Sequence, residues 1–180
     1  GTVDPRSPQK IELTGTELKM GDFIKKQLAN GPSLVNGAIY DITFTGADPA
    51  GNEAIPINIS NVNFDNEPPV MSISRPIDSE QIKTTIISYM SNEVLESATV
   101  IFEQTSGTID ITSPHKISLT GRELTDGVHS DFDLGIASQL ADGGRYSVSI
   151  EAVDKAGNPA KITPISDVFF DILPPDLSLS

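Results

Sequence analysis

The chain has 180 residues, 37% hydrophobic and 21% charged, and its 25 acidic against 12 basic residues give a net charge of -13. That balance argues against nucleic acid or anionic membrane as a partner, because phosphate binding is driven by Lys and Arg displacing counterions. The absence of cysteine removes disulfides and thiolate zinc sites, and no apolar run reaches the roughly 18 residues of a membrane-inserted helix.

In chain order, the start Gly1-Thr2-Val3-Asp4 lacks the basic and apolar pattern of a signal segment. Residues 19–28 carry the one helical pattern. Residues 39–46 alternate Tyr40, Ile42 and Phe44 on one face, the period of a half-buried strand. Asp48-Pro-Ala-Gly-Asn52 reads as a hairpin turn, in which Asp bonds the backbone ahead and Gly or Asn accepts positive φ. Asn58-Ile-Ser60 is a glycosylation sequon of a kind that recurs by chance. Phe64-Asp-Asn-Glu-Pro-Pro69 reads as a stiff extended connection, since two prolines cannot continue a ladder.

Beyond it, strands are predicted at 70–75, 82–90, 96–103, 115–120, 128–136, 145–154 and 162–171, separated by Gly, Pro, Asn and Asp. The clearest is 145–154, with Tyr146, Val148, Ile150 and Ala152 inward and Ser147, Ser149 and Glu151 outward. Asp154-Lys-Ala-Gly-Asn158 repeats the earlier turn, and Pro174-Pro175 repeats the earlier proline pair. The cores are expected to be built on Tyr40, Ile42 and Phe44 and on Tyr146, Val148 and Ile150.

These echoes belong to one repeat. Residues 1–74 align with 107–180 without a gap, and about thirty pairs are identical. A period of about 106 residues is the size of a whole β-sandwich, so each copy should hold its own core. Counted between proline pairs, residues 1–69 are the last two thirds of a unit, 70–175 a complete unit, and 176–180 the start of another. The first unit lacks the counterpart of 70–106, read here as three strands, and should expose one inner face and several edges. Completion by another chain, self-association through the incomplete unit, or excision from a longer chain would account for it.

Leu140-Ala-Asp-Gly-Gly-Arg-Tyr146, matched by Leu34-Val-Asn-Gly-Ala-Ile-Tyr40, resembles a tyrosine corner, in which a Tyr hydroxyl bonds nearby backbone. Together with Ala152-Val-Asp-Lys-Ala-Gly-Asn158 it resembles the Y-x-V-x-x-x-A-x-D-x-A-G-N stretch of fibronectin-type and bacterial immunoglobulin-like repeats. The first copy departs from the motif at Gly46 and Pro49. The resemblance implies an all-β, immunoglobulin-like Greek-key sandwich in tandem, from a large bacterial surface protein or adhesin. It implies an extracellular location, neighbouring repeats of the same chain as partners, and a spacer role.

In such a sandwich the two loops at the entry pole would bring Asn92, Glu93, Asp154 and Asn158 toward the connection Asp65, Asn66 and Glu67. These oxygens could hold calcium, a hard cation that takes six to eight of them. The plan is similar to cadherin junctions, although the D-x-N-D-N motif is absent and the next connection reads Asp171-Ile-Leu. The structural reading needs no ion, because Asp and Asn suit these turns by backbone geometry alone; no cofactor is required.

Catalysis is not expected. His115 and His129 align with Gln9 and Phe23, and His129-Ser130-Asp131 would alternate across a strand where a triad must converge. The alternative function is a carbohydrate- or ligand-binding accessory module of an extracellular enzyme, with Tyr89, Phe23 and Phe132 as candidate surface rings.

Overall fold

A computed structural model describes residues 1–19, 28, 30–160 and 162–175. Among these the chain is all-β: ten strands and three short 3₁₀ turns, with no α-helix. The helical pattern at 19–28 lies almost wholly outside the described residues. Among the described residues no helix is long and apolar enough to cross a membrane. The chain divides into two compact units, Gly1–Asn66 and Glu67–Ser180.

In the first unit β1 (Ile39–Phe44) and β2 (Ile57–Asn63) form an antiparallel two-stranded sheet, with Tyr40 opposite Val62, Ile42 opposite Ile59 and Phe44 opposite Ile57. The alternation of apolar residues is therefore that of a strand, but the expected core is not formed. Ile42 is 38% and Phe44 48% exposed, and Tyr40 is half-buried. The physical reason is that no second sheet covers this face among the described residues.

The second unit does close a core. Its strands are β3 (Met71–Arg75), β4 (Gln81–Ile82), β5 (Ile86–Ser91), β6 (Leu95–Gly107), β7 (His115–Ser118), β8 (Gly127–Asp133), β9 (Gly144–Asp154) and β10 (Ile165–Phe170). They form a three-stranded sheet, β3-β5-β8, and a five-stranded sheet, β4-β10-β9-β6-β7. All ladders are antiparallel except β4 with β10. Met71, Ile87 and Tyr89 from one sheet meet Val100, Phe102, Tyr146, Val148, Val168 and Phe170 from the other in a single cluster. The larger members each contribute about 1.5–3 kcal/mol by leaving water. β9 anchors the five-stranded sheet through eleven residues paired on β6, from Gly107 opposite Gly144 to Leu95 opposite Asp154.

Eight strands appear where seven are predicted. The continuous run at 82–90 is broken at residues 83–85, and its halves lie in different sheets, β4 with β10 and β5 with β8. Thr85, fully buried, explains the break. Its hydroxyl donates to Asp133 Oδ1 (3.1 Å) and accepts from Ile136 N (3.2 Å), and its carbonyl accepts from Leu134 N. These bonds also end β8 at Asp133, short of the predicted 136. β10 begins only at Ile165, just after Pro164, which has no N–H to give to a ladder.

Candidate functional site

One densely bonded polar group of the second unit is buried. Past the end of β6 the chain turns at Gly107 and reaches Asp110, which is 9% exposed. Asp110 Oδ2 accepts from Tyr146 Oη (2.8 Å) and His115 Nε2 (2.6 Å), and Oδ1 accepts from the Thr112 amide (3.0 Å) and hydroxyl (2.6 Å). Tyr146 Oη in turn accepts from Ala141 N at 2.8 Å. The tyrosine thus fastens the Leu140–Tyr146 corner to the segment between β6 and β7. Burial disfavours the charged form of Asp110, but the bonds from Thr112, His115 and Tyr146 outweigh it and hold the carboxyl well below the usual range. Burial, with the carboxylate beside it, pushes the Tyr146 hydroxyl up to about 12.

The first unit carries the same arrangement. Asp4 Oδ2 accepts from Tyr40 Oη (2.8 Å) and Gln9 Nε2 (2.7 Å), and Tyr40 Oη accepts from Val35 N (2.9 Å). The Arg6 amide foremost, against the opposing effect of burial and with help from Tyr40, Gln9 and the Arg6 side chain, holds Asp4 at about 2. Gln9 aligns with His115 and donates the same bond, so His115 occupies a repeated position after all, with an imidazole in place of an amide. Sequence reading missed Asp4 and Asp110. The signal was present in the shared Gly-Thr-x-Asp at 1–4 and 107–110.

Asp154 closes the turn between β9 and β10 and is 1% exposed. Oδ1 accepts from the amides of Ala156 (2.8 Å), Gly157 (2.7 Å) and Asn158 (2.8 Å), and Oδ2 from Asn158 Nδ2 (2.8 Å). Burial raises its pKa, while the Asn158 side chain and the three amides lower it further, so the carboxyl lies below its ordinary value. Asp48 makes the corresponding bonds to Ala50 N, Asn52 N and Asn52 Nδ2, at 2.9, 2.9 and 2.8 Å, in an exposed turn. Both oxygens of Asp154 are thereby engaged within the turn, Oδ1 by its backbone amides and Oδ2 by the Asn158 side chain.

The other residues considered as cation ligands have these places. In the first unit Asp65 is half-buried, and Asn66 N donates to Asn36 Oδ1 at 2.8 Å. In the second, Glu67 is exposed; Asn92 Oδ1 accepts from Val70 N (2.8 Å), fixing the start of β3 beside the β5 end. Glu93 is half-buried, its carbonyl accepting from Ser91 Oγ (2.7 Å). Within this unit carboxylate oxygens of Glu93 and Asp154 lie within 4.8 Å of each other.

Both histidines have partners. His115 is held by Asp110, and the His129 ring stacks on Tyr89 at 4.7 Å between centroids, with Nε2 3.0 Å from Thr125 O. Tyr89 itself is fully buried, its hydroxyl donating to Glu123 O (2.6 Å), which corrects the expectation of a surface ring. Its position in step with Ile87 on β5 sends it into the core. Phe132 also packs against the core, and Phe23 lies outside the described residues. An open groove of about 770 Å³ beside β6 and β9 is lined by Ser97, Thr99, Ser149, Glu151 and Pro164 among others, with no aromatic ring among its described lining. Compared with known families and with curated proteins, the chain matches none.

Proposed function

We propose that this chain is a non-catalytic structural and adhesive spacer of a large bacterial surface or secreted protein, built of tandem immunoglobulin-like modules joined by short Pro-Pro connections. The observation that carries the reading is the recurrence of one polar framework in both units. Asp, Tyr and an amide or imidazole donor are bonded alike at aligned positions, as are the two Asp-x-x-x-Asn turns. The strand order supports it: β3, β5 and β8 lie in one sheet and β6, β9 and β10 in the other, as strands A, B and E oppose C, F and G in immunoglobulin-like sandwiches. The residues with the most polar contacts serve the fold, and both imidazoles are occupied.

A spacer must carry tension. In the second unit β4 and β10 run parallel near opposite ends of the unit. They are joined by Phe169 N to Glu80 O (2.9 Å), Asp171 N to Ile82 O (3.0 Å), Ser79 N to Ser166 O (3.0 Å) and Ser166 N to Asp78 Oδ1 (2.6 Å). Pulling the ends apart loads these bonds together, lengthwise. Because the chain has no cysteine, thiol handles can be placed uniquely. Handles at Glu67 and Pro175 should give a much higher unfolding force than handles at Ser138 and Leu173, which open the β9–β10 ladder one bond at a time. Equal, low forces in both geometries would remove the spacer reading. Its calcium component is decided by melting in millimolar calcium and in chelator. A rise of several degrees, lost in Asp154→Ala, establishes an ion at this turn, whereas coincident melts leave Asp154 to the turn alone.

A further inference from the structure

The sequence holds two Asn-Gly pairs, Asn30-Gly31 and Asn36-Gly37. In such a pair the glycine nitrogen can bond to the side-chain carbonyl carbon of its own asparagine, because a residue without Cβ lets the two groups close on each other. Asn36-Gly37 is held against that closure. The turn over residues 35–38 is shut by Ala38 N donating to Val35 O (3.1 Å), with Gly37 at φ +70°. Gly37 N, the atom that would attack, donates to Phe64 O at 2.8 Å, and Asn36 Oδ1 accepts from Asn66 N at 2.8 Å. The aligned turn of the second unit repeats each part of this around an aspartate. Gly144 N donates to Ala141 O (3.0 Å), Gly143 has φ +76°, Gly143 N donates to Phe170 O (2.8 Å), and Asp142 Oδ1 accepts from Ile172 N (2.8 Å). The second unit thus carries in its sequence the residue that loss of the Asn36 side-chain amide would produce.

We propose that Asn36 is a site of spontaneous deamidation, gated by the two bonds that tie its turn to Phe64 and Asn66. When they open, Gly37 N gives its proton to hydroxide and forms a bond to Asn36 Cγ. The Cγ–Nδ2 bond breaks, and Nδ2 leaves as ammonia with a proton taken from water. Water then adds to the cyclic imide. Breaking the bond from Gly37 N to Cγ gives aspartate; breaking its bond to the main-chain carbonyl carbon gives isoaspartate, with the chain now running through the side chain. No electron is transferred, and water and hydroxide are the only co-reactants. The two products have different consequences. Aspartate restores the turn, because Asp142 accepts the matching amide at 2.8 Å with its glycine bonded alike. Isoaspartate adds one methylene to the backbone before Gly37 and carries the Gly37 amide away from Phe64 O. One product resets the gate and the other leaves it open. The inference goes beyond the spacer reading and does not rest on it.

Peptide mapping by mass spectrometry tests it on the full chain, incubated at mildly alkaline pH in a series of urea concentrations. Asn36 should convert at least about tenfold more slowly in native buffer than in the unfolded chain, because the reaction has to wait for local opening. Amide exchange at Gly37 follows the same N–H, so exchange and conversion should rise with urea in parallel. Equal conversion in the native and unfolded chain, conversion in neither, or conversion that does not follow Gly37 exchange overturns the proposal. Asn66→Pro deletes the amide that holds Asn36 Oδ1 and should speed native conversion about fivefold. Asn30-Gly31, exposed at both residues, should keep its rate in that variant and serves as the reference within the same molecule. An unchanged rate at Asn36 overturns the gate. Because removing a main-chain donor can disturb the turn itself, Asp142→Asn supplies a second arm. It places the pair in the second unit and should also convert at least about tenfold more slowly folded than unfolded; equal rates overturn the proposal. The pulling experiment concerns force on the second unit, so failure of the deamidation site and failure of the spacer reading are told apart.

Discussion

Replacing Tyr146 with Phe keeps the ring that fills the core of the second unit and deletes one oxygen. That oxygen donates to Asp110 Oδ2 and accepts from Ala141 N, both at 2.8 Å. Losing a hydrogen bond to a charged acceptor costs about 1.5–3 kcal/mol, and an unpartnered buried amide adds about 1–3 kcal/mol when water cannot replace the donor's partner. Ala141 is only half-buried, so the sum should fall near 3 kcal/mol, or about 10–20 °C in the melting temperature of a unit of this size. The measurement is urea and thermal unfolding, read through amide exchange on β9 so that the second unit is followed alone. A carboxyl titration by NMR runs alongside and should show Asp110 rising toward its ordinary value. A loss below about 0.5 kcal/mol, in the range of a neutral surface change, with Asp110 unmoved, would refute the view that the hydroxyl holds the corner. Tyr40→Phe removes the matching bonds to Val35 N and Asp4 in the first unit and should lower stability less, because Tyr40 is only half-buried.

His115→Gln should cost under about 1 kcal/mol, because Gln9 makes the same bond at 2.7 Å in the first unit, whereas His115→Ala leaves the buried carboxylate short of a donor and should cost about 2–3 kcal/mol; chemical unfolding of both variants compares them. Gly107→Ala should destabilise by more than about 2 kcal/mol, since φ is +83° and a Cβ would meet Gly143 O at 2.3 Å, a backbone contact with nowhere to retreat; a melt measures it. The pH dependence has two limbs. Asp110 titrates lower folded than unfolded, so its contribution is present above about pH 4 and is lost as pH falls through the folded value. Tyr89 and Tyr146 are raised from 10.0 to about 12, so theirs is present below pH 10 and is lost between pH 10 and 12. Stability curves against pH should show both, with the acid limb shallower in Tyr146→Phe.

What could be read from residues alone was local. The strand at 145–154 was legible because Tyr146, Val148, Ile150 and Ala152 repeat with period two and all point one way, and the Asp154–Asn158 turn because its side chains bond their own backbone. Thr85 was not legible as a break. It sits in the unbroken run Ile82 to Met90, and only its bonds to Asp133, Leu134 and Ile136, some fifty residues away, force the chain from one sheet to the other. Tyr89 was misjudged as a surface ring because the other two tyrosines stand at the corners, although its spacing from Ile87 already placed it on the inward side. In the first unit the pattern of Tyr40, Ile42 and Phe44 was right and the burial was not, since burial depends on strands outside that pattern. His115 was set aside because it aligns with a different residue type, yet what recurs at that position is a donor, which type alone does not reveal.

The paired carboxylate and tyrosine also supply a means of finding further copies. In both units the aspartate and the tyrosine that donates to it stand 36 residues apart. The donor five residues beyond the aspartate is Gln in one and His in the other. A search that fixes Gly-Thr-x-Asp, the 36-residue interval and Tyr, while leaving that donor variable, would recognise sister modules whose overall identity has drifted too far for ordinary alignment.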